Sequence, residues 1–113
     1  MSHPLKLLFV CSHNRWRSRT AEEIFRGVPG YEVKSAGTEP GARVRVTEGH
    51  LGWADHIFVM EKKHSAYLHE KFSEALAGKA VVSLHIPDDY RFGDAELVAL
   101  LKSTLSAHIA VPD

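Results

Sequence analysis

Cysteine is nearly absent from this chain of 113 residues, where Cys11 stands alone. One thiol excludes an intramolecular disulfide, a CxxC redox pair and a tetrathiolate zinc site, and it suits a reducing compartment. Net charge is absent too: fourteen Lys and Arg balance fourteen Asp and Glu with the histidines neutral, which argues against a nucleic-acid binder or a polybasic membrane protein. No apolar run approaches membrane-spanning length. The amino terminus, with a single Lys6 and no small-residue cleavage site, makes a poor signal peptide, so a cytoplasmic protein is expected. Repeats, low-complexity tracts and Pro/Gly/Ser linkers are missing, and residues 1–113 read as a single domain. The eight histidines, His3, His13, His50, His56, His64, His69, His85 and His108, contain no i,i+4 pair and no HExxH, so neither a metal site nor a cofactor is expected.

What is present is enough for a core. Surface scaling leaves roughly 6,200 Å² exposed of about 18,000 Å² in the extended chain. Leu5–Val10, Asp55–Met60 and Ala80–Leu84 are short, nearly continuous apolar runs, as in strands buried on both faces, and Tyr31–Ser35 alternates like an edge strand. Helical spacings lie between them: Ala21, Ile24, Phe25 and Val28; Leu68, Phe72, Ala75 and Leu76, closed by Gly78; and Leu97, Leu100, Leu101 and Leu105 after a cap at Asp94, with a shorter helix starting at Thr47. The alternation predicts an α/β three-layer sandwich, an approximately four-stranded parallel sheet with helices on both faces. Its ligand site belongs at the carboxyl ends of the strands.

Cys11 stands at that end of the first strand. The segment from Cys11 to Ser18, Cys-Ser-His-Asn-Arg-Trp-Arg-Ser, connects strand to helix. The first helical turn offers free N–H groups and a dipole that favours negative charge, so the loop can cradle an anion. A thiolate there is stabilised, all the more beside Arg17 and a donating Ser18 hydroxyl, and becomes a nucleophile. The Arg17 fork can grip two phosphate oxygens. Charge supports a small-anion pocket: residues 1–45 hold eight basic and four acidic side chains, residues 46–113 six and ten, and Arg15, Arg17 and Arg19 form the tight basic cluster.

Cysteine, five residues and Arg-Ser on an amino-terminal strand-loop-helix resembles the phosphate loop of the low-molecular-weight protein tyrosine phosphatases. Ser35-Ala36-Gly37-Thr38, Ala54-Asp55-His56-Ile57-Phe58-Val59-Met60 and Pro87-Asp88-Asp89-Tyr90 extend the resemblance from Leu5 to the last helix. The resemblance implies a phosphomonoester hydrolase working through a phosphocysteine: Cys11 as nucleophile, Arg17 on the phosphoryl oxygens, Asn14 shaping the loop, Ser18 supporting the thiolate, and Asp88 as general acid and then base. Ser12, His13, Asn14, Arg15, Trp16 and Ser18, with Tyr90, make up the implied substrate-binding set. Asp89, which stands where the family has proline, is the alternative acid. The implied substrate is a phosphorylated protein or small phosphoester.

Several positions depart from the family. His13 replaces a glycine, which raises the question of positive φ there. Trp16 replaces a second cysteine, so an oxidised Cys11 has no partner for an intramolecular disulfide. The chain is shorter than typical members, and Glu39–Val46 lacks the aromatic that often walls the cleft. Arginine phosphatases of the family tend to carry threonine where Arg15 stands, and a cation there should repel a phosphoguanidinium.

Plainer readings stand beside these. Cys11 alone would be an inert buried thiol; Arg15 and Arg19 could belong to a solvated face; Asp88 and Asp89 could be turn residues; Trp16 could be core or cleft wall. Thr20 and Glu23 match a capping box, but Glu22 and Glu23 read better as acids of the first helical turn. Among rival functions, an arsenate reductase needs further cysteines, a phosphocysteine carrier does not need Arg17, and a non-catalytic phosphate-binding module on the same fold remains the alternative.

Overall fold

In a computed structural model, which describes residues 3–113, the three apolar runs and the alternating segment become four parallel strands: β1 (Leu5–Cys11), β2 (Tyr31–Gly37), β3 (His56–Val59) and β4 (Val81–Ser83). Their order is β2-β1-β3-β4. From β1 the chain crosses to β2 on one side and later to β3 on the other, so the strand order reverses at the carboxyl end of β1. That is where such sheets bind ligands. β2 lies at an edge, as its alternating pattern predicts.

The alternation of β1 decides which layer each side chain joins. Leu7, Phe9 and Cys11 face α1 (Arg17–Phe25) and α4 (Ala95–Leu105), packing with Ala21, Phe25, Leu97, Leu101 and Leu105. Leu8 and Val10 face α2 (Glu48–Trp53) and α3 (Lys62–Lys71), packing with Leu51 and Leu68. Phe9 stacks between Phe25 and Phe58, with centroids 5.8 and 5.6 Å away. The exposed area of 6301 Å² agrees with the scaling for this length.

Two helix ends fall where predicted. Thr47 caps α2 by accepting the His50 N–H, and Asp94 caps α4 by accepting the Glu96 N–H. Three expectations are corrected. α1 begins at Arg17 and has no acid in its first turn; Glu22 and Glu23 lie a turn later, where both pair with Arg26. The same helix stops at Phe25, short of Val28, and Gly27 turns the chain at φ +73°. α3 starts earlier than the apolar spacing implies and ends at Lys71; the stretch to Gly78 is a series of turns, closed by Ala77 N–H to Glu74 O and Lys79 N–H to Leu76 O, which bury Leu76 without helix. The early start follows from a local cap: the His64 ring accepts from the Glu61 N–H, and the His64 N–H donates to the Glu61 carbonyl, both at 3.0 Å. No helix among the described residues is long and apolar enough to cross a membrane.

Candidate active site

Cys11, the last residue of β1, lies in a cavity of about 330 Å³ at the carboxyl end of the sheet. Its Sγ is 2.9 Å from the Ser18 Oγ and accepts the Asn14 N–H at 3.3 Å. Asn14 sits at φ +55°, and its buried amide donates to Ser18 Oγ and Ser35 Oγ, both at 2.8 Å. Ser35 donates in turn to the Glu22 carboxylate. A chain of short polar side chains therefore runs from a carboxylate on α1, through β2, to the thiol. The left-handed conformation falls on Asn14, which tolerates it well, and His13 does not require it.

The segment after β2 fixes the outside of the loop. The carbonyls of Cys11, Ser12, His13 and Asn14 accept from Thr38, Glu39 and Arg43 N–H groups and from Arg43 Nε, at 3.0 to 3.1 Å. With its acceptors turned onto residues 38–43, the loop keeps them away from any anion in the cavity. This close approach explains the glycine of Ser35-Ala36-Gly37-Thr38: a Cβ on Gly37 would lie 2.6 Å from Ser12 O, 2.7 Å from the Ala42 Cβ and 3.0 Å from Asn14 N. Only a residue without a side chain lets β2 support the loop from below.

Arg17 is the largest fully buried side chain, 2% exposed. Its Nη1 donates to Glu61 Oε2 at 2.6 Å and to Ile86 O at 2.8 Å, and its Nε lies 3.5 Å from Asp88 Oδ1. The guanidinium is thus anchored by one nitrogen. Burial opposes ionisation of Glu61, but the hydrogen bond and charge of Arg17, aided by Lys63 and His64, outweigh it and hold the carboxyl below the usual range.

Glu61 and His64 were missed in the sequence. Their signal is Glu-x-x-His directly after the apolar run ending at Met60, the N-cap-to-N3 spacing at the carboxyl end of a strand. His64 is 1% exposed. Its Nδ1 accepts from the Glu61 N–H at 3.0 Å, so Nε2 carries the proton and donates to Ser12 Oγ at 2.9 Å. Burial first, and then the Arg17 charge, push its pKa down to about 4. An imidazole that stays neutral when folded but protonates near 6.5 when unfolded makes stability rise with pH between those values. That contribution, about 3 kcal/mol, is complete above about pH 6.5 and disappears as pH falls towards 4. Urea unfolding at pH 7.5 and 4.5 should show a smaller acid loss in His64→Gln than in the wild type.

The other expected site residues divide. Ser12, His13, Arg15, Trp16, Arg17 and Asp88 line the cavity with Cys11 and Gly41. Trp16, 43% exposed, is cleft wall and supplies the aromatic surface that Glu39–Val46 lacks. Ser18 and Asn14 lie buried behind the loop. Asp88 is half-exposed at the rim, whereas Asp89 is exposed and outside the lining. Tyr90 packs against the α4-side core and does not line the cavity. Arg19 leaves the basic cluster to lie 4.2 Å over the Phe92 ring.

The sheet order, the loop joining β1 to α1 and the segment after β4 define the fold of the low-molecular-weight protein tyrosine phosphatases. In particular, the chain is similar to the tyrosine phosphatase Wzb of Escherichia coli K30, solved with phosphate, at a TM-score of 0.73 and 24% identity over 93% of this chain and 96% of that one. Wzb of Vibrio vulnificus, solved with benzylphosphonate, matches at 0.72 and 25% over 93% and 97%. The YwlE arginine phosphatase of Geobacillus stearothermophilus matches at 0.66 and 23% over 96% and 100%. No family model and no curated protein matches the chain.

Proposed function

We propose that the protein is a cysteine-dependent phosphomonoester hydrolase. The observation that carries this reading is a thiol held by the Ser18 hydroxyl and the Asn14 N–H, in one cavity with a buried guanidinium whose Nη1 is already committed to Glu61 and Ile86. Anchoring through Nη1 leaves the opposite edge, Nε and Nη2, for two oxygens of a phosphoryl group. In the first step the Cys11 thiolate attacks phosphorus, an S–P bond forms as the ester P–O bond breaks, and the leaving oxygen takes the Asp88 proton. In the second, the Asp88 carboxylate takes a proton from water, whose oxygen attacks phosphorus; the S–P bond breaks and phosphate leaves with the thiolate restored. Arg17 neutralises the charge on the equatorial oxygens in both. The chemistry needs neither metal nor redox cofactor.

The neighbours act on tyrosine or arginine phosphates. The Trp16 indole offers an aryl ester a flat apolar surface, while the Arg15 cation beside it repels a phosphoguanidinium. Both favour an aryl phosphate, on a protein or on a small molecule, over phosphoarginine.

Hydrolysis of p-nitrophenyl phosphate tests the reading. Turnover should persist in a chelator, and Asp88→Ala should lower kcat/KM by roughly a hundredfold. Asp89→Ala should stay within about threefold of the wild type, its side chain being exposed outside the cavity. A wild-type protein that binds phosphate without turnover is a binding module, and the proposal fails.

A further inference from the structure

The segment that carries Asp88 runs from Ile86 to Asp94 without regular structure, and both of its ends are tied down. At one end Ile86 donates its N–H to Met60 O at 2.8 Å and accepts from Arg17 Nη1 at 2.8 Å. At the other, the Gly93 N–H donates to Thr20 Oγ1 at 3.0 Å, and this buried hydroxyl donates in turn to the Trp16 carbonyl at 2.6 Å. One side-chain oxygen therefore couples the cavity wall to the far end of the acid segment. Next to it, the Arg19 guanidinium covers the half-exposed Phe92 ring.

Between these ties Asp88 is loosely held. Among the described residues its one polar contact is the 3.5 Å approach to Arg17 Nε, so the direction of its carboxyl is set by the backbone beneath it. That backbone leaves the segment at Gly93, at φ +76°, where the Asp94 N–H closes a turn onto Arg91 O before α4 begins. α4 is fixed by Leu97, Leu101 and Leu105 in the core. Thr20 is thus the side chain that ties the end of the segment to α1, and none of Thr20, Arg19, Phe92 and Gly93 lines the Cys11 cavity.

The geometry points to Thr20 and Arg19 as positioning residues for proton transfer: through Gly93 and Phe92 they clamp the Asp88 segment at the rim of the cavity. This rests on the reading of Asp88 as proton donor. A donor must come within hydrogen-bond reach of the leaving oxygen, and a shift of about 1 Å can cost up to a hundredfold in rate. The clamp matters only where the leaving group needs a proton.

Leaving-group dependence separates this role from plain support of α1. Phenyl phosphate needs protonation of its leaving oxygen, whereas 2,4-dinitrophenyl phosphate expels a stable anion. Thr20→Val should lower kcat/KM on phenyl phosphate roughly tenfold and on the dinitrophenyl ester less than about twofold. Thr20→Ser should restore the wild-type ratio. Phe92→Ala, which alters an exposed ring and leaves the buried core intact, should move the ratio in the same direction by a smaller factor, and it decides alone if Thr20→Val does not fold. Equal losses on both esters, or none on either, overturn the clamp. With Asp88→Ala as reference, selectivity in that variant alone removes the clamp and keeps the acid; no selectivity there removes both.

Discussion

Arg17→Lys is expected to lower kcat/KM for p-nitrophenyl phosphate by about three orders of magnitude while leaving a folded protein. The substitution preserves the charge, so the loss reports geometry. In the wild type one guanidinium nitrogen bridges Glu61 and Ile86 O, and the rest of the fork stays available. An ammonium has a single nitrogen, and the 2.6 Å pairing with Glu61 is the strongest attraction within reach of it. The substituted lysine would therefore satisfy the scaffold and desert the phosphate. Keeping the charge at the buried position 17 paired with Glu61 protects the fold, because a charge left alone there would be far more costly. Steady-state kinetics and a thermal melt check both halves; a loss below about tenfold would mean that the planar fork is not used.

The parts legible in the sequence were those written locally. β1 declares itself as a nearly continuous apolar run because both faces of a central strand are buried, and the Cys-x5-Arg-Ser loop follows it without a gap. The Thr47 and Asp94 caps are short-range patterns and fell in place. Glu61 and His64 reach the site by another route: β3 pairs with β1, Val59 opposite Val10, and the Met60 N–H donates to Val10 O, which delivers the start of α3 to the loop. A contact between positions 12 and 64 depends on that pairing, and His64 looked like one of eight scattered histidines. The length of α3 misled for a related reason, since turns can bury Leu76 as well as a helix can.

Neighbouring residues at the rim separate for reasons of direction that residue type alone does not encode. Asp88 and Asp89 are chemically alike, yet one reaches Arg17 and the other faces solvent. Tyr90 then turns back onto the core. Arg15 and Arg19, four residues apart, part company because α1 begins between them: Arg15 stays in the loop at the cavity, and Arg19 rides the helix towards Phe92.

Cys11→Ser should abolish turnover, a fall of at least ~10⁴-fold for removal of a nucleophile, and should still bind inorganic phosphate. The two halves follow from different atoms. A serine oxygen can replace Sγ as the acceptor of the Asn14 N–H and as the partner of Ser18 Oγ, so the loop keeps its shape and Arg17 its anchors. Phosphate binding depends on the Arg17 fork and the loop amides, which the change leaves in place. Chemistry depends on an ionised nucleophile, which an alcohol at neutral pH does not supply. The solitary thiol makes the companion measurement clean: with one cysteine in the chain, iodoacetate can add one carboxymethyl group per wild-type molecule and none to Cys11→Ser. Phosphate in the cavity should slow that alkylation. Slowing without turnover in the wild type would assign the cavity to binding alone, whereas slowing together with turnover lost only in the serine variant would tie binding and hydrolysis to the same sulfur.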